Sequence, residues 1–140
     1  MVLQLLLALL ILTTTSPATL AQEPKGTMPM IAGAAVPMYP PLARAARVQG
    51  VIHIRVTTDG TMVAAAHAED GNRLLAVAAE ENVRTWQFSK HQPTSFTVTY
   101  RYRLDAHGNP NNPTVIFRFP TDVEVSIAPL VISDPPARIQ

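Results

Sequence analysis

The chain contains no cysteine among its 140 residues. This absence excludes disulfide bonds, thiolate metal sites, cysteine nucleophiles and an anchor built on a lipid-modified cysteine. Stability must therefore come from a packed core without covalent cross-links. Hydrophobic residues make up 47% of the chain, and its length suits one domain with one core.

The chain also lacks an excess of charge of either sign. Its formal net charge is +1, and the Lys and Arg residues are spread evenly along the sequence. Proteins that bind nucleic acids or anionic membranes concentrate these residues in patches or runs. The composition therefore gives no support for either kind of partner.

The first 22 residues, Met1 to Gln22, carry no charged side chain. The apolar run Val2 to Leu12 is shorter than the roughly 20 residues that span a bilayer. It leads into the small residues Ala18-Thr19-Leu20-Ala21, which suit cleavage by signal peptidase. We predict that residues 1–21 are a secretory signal, with a retained membrane anchor as the alternative. Residues 22–38 would then form an extended lead-in.

Sequence patterns for catalysis or metal binding are missing. There is no Gly-x-Ser-x-Gly elbow, no Gly-rich phosphate loop and no pair of histidines at metal-ligand spacing. A two-residue hairpin turn would place His53 and His67 on opposite faces. The acidic pairs Glu69-Asp70 and Glu80-Glu81 fit a helix start and a solvated helix face. The sequence predicts no enzyme activity, no catalytic residue, no metal and no cofactor.

A β-hairpin is the first clear structural signal. Val51 to Thr58 alternates between apolar and polar residues, and Thr61 to Ala68 returns after Asp59-Gly60, a dipeptide favoured in two-residue turns. That turn predicts one apolar face, made of Ile52, Ile54, Val56, Val63 and Ala65.

Two helices flank this hairpin in the sequence. Pro40 and Pro41 suit the first turn of a short helix, with one face formed by Leu42, Ala45 and Ala46. Asp70 or Asn72 can cap a second helix. Its apolar stripe is Leu74, Leu75, Ala78, Ala79 and Val83, with Glu80 and Glu81 facing solvent. Trp86 and Phe88 follow directly and are expected to close the open end of the core.

The longest regular alternation runs from Thr94 to Leu104. Its apolar side chains point one way, and Thr97, Thr99, Arg101 and Arg103 point the other, as in an antiparallel strand with one solvated face. Thr114 to Phe119 and Val123 to Ile132 predict one or two further strands. The expected fold class is α+β, a small antiparallel sheet with helices packed on one face.

The order of these signals resembles the C-terminal domain of TonB, the periplasmic energy transducer of Gram-negative bacteria. The likeness covers residues 39–104 and leaves residues 105–140 as an extension with a tail. It rests on Tyr39-Pro40, Ala43, Gly50, Asp59-Gly60, Leu75, Ala78-Ala79, Val83, Trp86 and Phe88. The resemblance implies a non-catalytic, protein-binding module of the cell envelope, located in the periplasm.

In the TonB family this domain binds the extended TonB box of outer-membrane transporters as a strand added beside the last strand of the sheet. For this chain, the resemblance implies a partner strand beside Thr94 to Leu104. The candidate partner-binding residues are Thr97, Thr99, Arg101 and Arg103, and the alternative is that they are only the solvated side of a strand. The implied partner is an extended segment of an envelope or outer-membrane transport protein.

Three departures from the family keep other functions open. A TonB protein keeps its membrane helix and has a long Pro-rich linker, whereas here residues 1–21 look cleavable and only residues 22–38 are available as a linker. In addition, Thr114 to Phe119 could fold back and occupy the edge beside Thr94 to Leu104. The alternatives are a membrane-anchored energy transducer for outer-membrane transport and a self-capped structural domain of the envelope. The latter would assemble through a face and not an edge, either with itself, as in a homodimer, or with other envelope components.

Overall fold

A computed structural model describes residues 28–131 of the chain. Both the predicted secretory signal and the last nine residues lie outside this range. The described residues form an α+β fold, which confirms the predicted class. Its elements are β1 (Ile31–Gly33), α1 (Pro41–Ala45), β2 (Gly50–Thr58), β3 (Val63–Ala68), α2 (Arg73–Val83), β4 (Gln87–Phe88), β5 (Ser95–Leu104), β6 (Thr114–Arg118) and β7 (Asp122–Ile127). Within the described range, neither helix has the length and apolarity to cross a membrane.

The main sheet has five strands in the order β3-β2-β5-β7-β6, and β1 pairs with β4 in a separate two-stranded ribbon. β5 runs antiparallel to β2 but parallel to β7. The sheet is therefore mixed, and the expectation of a purely antiparallel sheet is corrected. Two of its five strands, β6 and β7, come from residues beyond 104.

The β2–β3 hairpin has a longer loop than the sequence predicts. Thr58 pairs with Val63, and the loop between them is held by Asp59, whose carboxylate accepts hydrogen bonds from the N–H groups of Thr61 and Met62. The prediction of a two-residue turn at Asp59-Gly60 is therefore wrong, because the side chain of Asp59 stabilises a wider turn. The changed register places Ala66, not Ala65, on the buried face opposite Val56.

The same register changes the faces on which His53 and His67 lie, relative to the prediction. His67 pairs with Arg55, and His53 lies two residues earlier on the same strand as Arg55. Side chains two residues apart on a strand share a face. His53 and His67 therefore lie on the same face of the sheet, contrary to the expectation of opposite faces.

Helix α2 packs on β2 and β3 and covers one face of the sheet. Its buried side chains are Leu75, Ala76, Ala79, Asn82 and Val83. Asn72 is the N-cap and accepts a hydrogen bond from the N–H of Leu74 at 2.9 Å. The predicted stripe is confirmed at its centre, whereas Leu74 and Ala78 are only half-buried, and Glu80 turns towards β3 instead of solvent.

Helix α1 buries a different face from the expected one. Ala43 is fully buried, whereas Leu42 is 65% exposed. The orientation is set by Arg44, which donates hydrogen bonds to the carbonyl oxygens of Ala128 and Pro110, each at 2.7 Å. Because α1 is a single turn long, this anchor decides which side chain meets the core.

The lead-in before α1 is part of the fold. Pro37 and Tyr39 are buried, and the side chain of Asn82 donates to the carbonyl of Ala35 at 2.8 Å. The Asn82 carbonyl oxygen accepts hydrogen bonds from the hydroxyl of Tyr100 and the indole N–H of Trp86, at 2.8 and 3.3 Å. Asn82 thus joins the lead-in, α2 and β5 inside the core. Trp86 and Phe88 are buried as predicted.

Acid is expected to weaken the fold partly through Asp70. Hydrogen bonds from the backbone N–H and the imidazole of His53 lower the pKa of this carboxyl below its ordinary value of 3.8. A lowered pKa stabilises the fold fully above the unfolded value and loses this effect as pH falls through the folded value. The stabilising difference between the natural chain and an Asp70→Asn variant should therefore shrink below about pH 4. Denaturant unfolding of both chains from about pH 6 to about pH 2 measures this difference in stability. A difference that does not change with pH would contradict the prediction.

Candidate functional site: the open edge of strand β6

The four side chains that the sequence singles out lie together on the sheet face opposite α2. Thr97, Thr99, Arg101 and Arg103 alternate along β5 with buried neighbours, so they share the outer face. Two of them are paired with carboxylates of β7. Arg101 lies 3.7 Å from Asp122, and Arg103 lies 3.1 Å from Glu124.

The edge that was expected to receive a partner is occupied. β5 pairs with β2 on one side and, from Thr99 to Leu104, with β7 on the other. The expectation that β5 is the free edge strand is therefore wrong from Thr99 to Leu104, because β7 inserts beside this part in parallel, whereas Ser95 to Val98 have no partner in β7. Thr114 to Phe119 does not fold back onto β5 either, since β6 pairs with β7.

The direction of the main-chain groups in β7 decides what β6 exposes. The N–H of Thr99 donates to the carbonyl of Thr121, and the N–H of Asp105 donates to the carbonyl of Ile127. Odd-numbered residues of β7 therefore direct their main-chain groups towards β5. Because this direction alternates along a strand, even-numbered residues direct theirs towards β6.

The register then identifies the open groups on β6. Thr114, Ile116 and Arg118 pair with the even-numbered residues of β7 and use their main-chain groups there. The alternation turns the N–H and C=O groups of Val115 and Phe117 away from the sheet. No hydrogen bond joins these groups to another part of residues 28–131. We call the main-chain groups of Val115 and Phe117 the β6 edge.

The opposite edge of the sheet is different, because helix α2 covers it. The carboxylate of Glu80 accepts a hydrogen bond from the N–H of Ala68 at 2.6 Å, and Arg84 donates to the carbonyl of Ala66 at 2.8 Å. These main-chain groups are the ones that β3 turns away from β2. Glu80 of α2 and Arg84, the residue that follows α2, thus occupy the positions that an added strand would need at β3.

Side chains on both faces of β6 add apolar surface to the edge. On the outer face, Ile116 is 42% exposed. On the inner face, the rings of Phe117 and Phe119 stack at 4.6 Å between centroids, and Phe119 meets Trp86 edge-on at 5.3 Å. An extended segment lying along β6 would contact this apolar surface as well as the open main-chain groups.

The remaining polar groups do not form a reactive cluster. Within residues 28–131 there is no group of three or more His, Asp or Glu side chains placed to hold a metal ion. Burial raises the pKa of Tyr100 and of Tyr102, so both phenols stay protonated in the core. The imidazole of His91 contacts the hydroxyl of Thr58 and the carbonyl of Ser89, so it attaches the residues after β4 to the end of β2.

The β6 edge was not found from the sequence. The alternation of Thr114 to Phe119 predicts a strand, but nothing local states which neighbour that strand takes. Comparison with protein-family models finds no match for this chain, and no curated protein matches it. The resemblance to the TonB C-terminal domain stays a prediction.

Proposed function

We propose that the chain is a non-catalytic protein-binding module that captures an extended segment of an envelope protein as a strand added beside β6. The observation that carries this proposal is the contrast between the two edges of the sheet. The side chains of Glu80 and Arg84 cover β3, whereas the main-chain groups of Val115 and Phe117 have no partner within residues 28–131. The TonB resemblance supports the same binding mode and a periplasmic location, with the site moved from β5 to β6.

The β6 edge offers two N–H and two C=O groups, enough for four main-chain hydrogen bonds. Each contributes about 0.5–1.5 kcal/mol net, and ordering the partner opposes this gain. A free energy of about −4 kcal/mol corresponds to a Kd of about 1 mM. Contacts with Ile116 and Phe117 strengthen this baseline, so we expect weak, reversible binding in the micromolar to millimolar range.

Titration with a TonB-box peptide of an outer-membrane transporter tests the proposal. Backbone amide signals of Val115 and Phe117 should shift during the titration, and those of β3 should not. A Val115→Pro variant removes one outward N–H without breaking the pairing of β6 with β7, because that N–H faces away from β7. It should weaken binding about tenfold.

A matched variant separates the main-chain effect from the side-chain effect. Val115→Thr keeps the N–H and the branched shape, so its affinity should stay close to that of the natural chain. An equal loss of peptide affinity in both variants would show that the partner recognises the side chain and not the N–H. Absence of any shift at millimolar peptide would count against strand addition at this edge.

A second copy of the chain is the other candidate partner for this edge. An antiparallel pairing centred on Ile116 would place Val115 opposite Phe117 of the other copy and bring the two exposed Ile116 side chains together. This register uses all four open groups and sets Thr114 opposite Arg118, so no like charges meet. Sedimentation over a range of concentrations distinguishes the cases, since self-pairing predicts a dimer that excess peptide dissociates.

A further inference from the structure

A groove on the helical side of the molecule is independent of the β6 edge. It lies between the lead-in and α2, has a volume of about 430 Å³ and includes Met38, Pro41, Leu74 and Val77 in its walls. A smaller cavity of about 210 Å³ continues it towards Thr85. We call the two together the α2 groove.

The walls of the α2 groove are apolar and open to solvent. Met38 is 70% exposed, Val77 is 45% exposed and Val36, in the continuation, is 66% exposed. Burial of these side chains would stabilise the protein by about 25 cal/mol for each Å² of apolar surface removed from water. An exposed apolar cluster of this kind favours a covering segment.

The groove also carries two charges at fixed spacing. Arg73 lies at the α1 end, beside Pro41, and Glu81 lies further along α2 towards Thr85. Neither has an ion-pair partner within residues 28–131. Eight residues of helix separate them, which is about 12 Å at about 1.5 Å per residue. An occupant should therefore place an acidic group and a basic group about 12 Å apart.

We propose that the chain's own residues 132–140 occupy the α2 groove. This segment contains Asp134-Pro135-Pro136-Ala137-Arg138, an acid and a base separated by three apolar residues. Consecutive prolines favour the polyproline II conformation, which rises about 3.1 Å per residue and puts Asp134 and Arg138 about 12 Å apart. Asp134 then meets Arg73, Arg138 meets Glu81, and the apolar residues between them lie over Leu74 and Val77.

The point where the described chain ends fits this direction of entry. Arg44 ties α1 to the carbonyl of Ala128, and Pro41 on the same short helix lines the groove. Asp134 lies six positions after Ala128, which allows about 20 Å of extended chain. The segment therefore reaches the Arg73 end first and runs along α2 towards Glu81, which is the order that the charges require.

Deletion of residues 132–140 tests the proposal in the full chain. Methyl signals of Leu74 and Val77 should shift on deletion, and a synthetic peptide of residues 129–140 added to the deleted chain should restore them. Unchanged methyl signals would overturn the proposal. Shifts at the β6 amides alone would overturn it too, because the segment would then cover that edge. Shifts that vanish on dilution of the full chain would assign the groove to a second copy.

Charge reversal supplies a readout that does not depend on folding. A peptide with Arg138→Glu should bind the deleted chain about fivefold more weakly. The reversal Glu81→Arg in the chain should restore its affinity, because it exchanges the two charges. Lys90→Glu, at an exposed position outside the groove, is the control and should leave both affinities unchanged. Equal binding of both peptides to every chain would rule out the proposed pairing of charges.

Discussion

Replacement of Asn82 by alanine is expected to lower the free energy of unfolding by about 3–5 kcal/mol. The side chain is 7% exposed and makes three hydrogen bonds, to the carbonyl of Ala35, the hydroxyl of Tyr100 and the indole of Trp86. Alanine leaves the buried Tyr100 hydroxyl and Trp86 indole without their partner, and each unsatisfied group costs about 1–3 kcal/mol. The lead-in should also loosen, because Asn82 is one of its attachments to α2.

Urea unfolding followed by fluorescence measures this effect, since Trp86 is the only tryptophan in the chain. Asn111→Ala is a matched control, because it makes the same chemical change at an exposed loop position. It should alter stability by less than about 0.5 kcal/mol. A loss below about 1 kcal/mol for Asn82→Ala would mean that the network contributes little.

Replacement of Gly71 by alanine is expected to cost about 2–4 kcal/mol. Gly71 has a φ of +92°, and a Cβ atom at this position would lie 2.1 Å from Cδ1 of Ile52 and 2.9 Å from the carbonyl oxygen of Val51. The new methyl group thus meets both an unfavourable backbone conformation and a core side chain. Relaxation would displace the connection between β3 and α2.

Gly33→Ala is the control for the Gly71 substitution. A Cβ atom there would have Oε1 of Gln87 as its nearest neighbour, at 3.7 Å, which is an ordinary contact. We expect a change in stability of less than about 0.5 kcal/mol. Thermal unfolding of the two variants side by side provides the comparison, and equal losses would contradict the steric explanation for Gly71.

Local patterns were sufficient to predict the two helices and the strands of the main sheet, but not the ribbon formed by β1 and β4. The alternation of β2 and β5, the cap at Asn72 and the plug formed by Trp86 and Phe88 are all present in the structure. Each depends on residues within one or two turns of chain, where period and propensity carry the information. The α+β class follows from the same signals.

One local feature was missed, because the carboxylate of Asp59 bonds to the N–H groups of Thr61 and Met62 and so stabilises a wider hairpin loop than the dipeptide Asp59-Gly60 predicts. Features that depend on distant residues could not be predicted from local patterns. The insertion of β7 beside β5 is a pairing between segments about twenty residues apart, and periodicity does not state which strands are neighbours. This one pairing moved the outer strand of the sheet from β5 to β6 and put three of the four candidate residues, Thr99, Arg101 and Arg103, on the part of β5 that β7 covers.

Amide hydrogen exchange along β6 measures whether the β6 edge is open in the protein. We expect alternation, with fast exchange at Val115 and Phe117, whose N–H groups face away from the sheet. We expect slow exchange at Ile116 and Arg118, which pair with β7. Uniform protection along β6 in the monomeric full chain would contradict this expectation, because it would mean that the β6 edge is already covered.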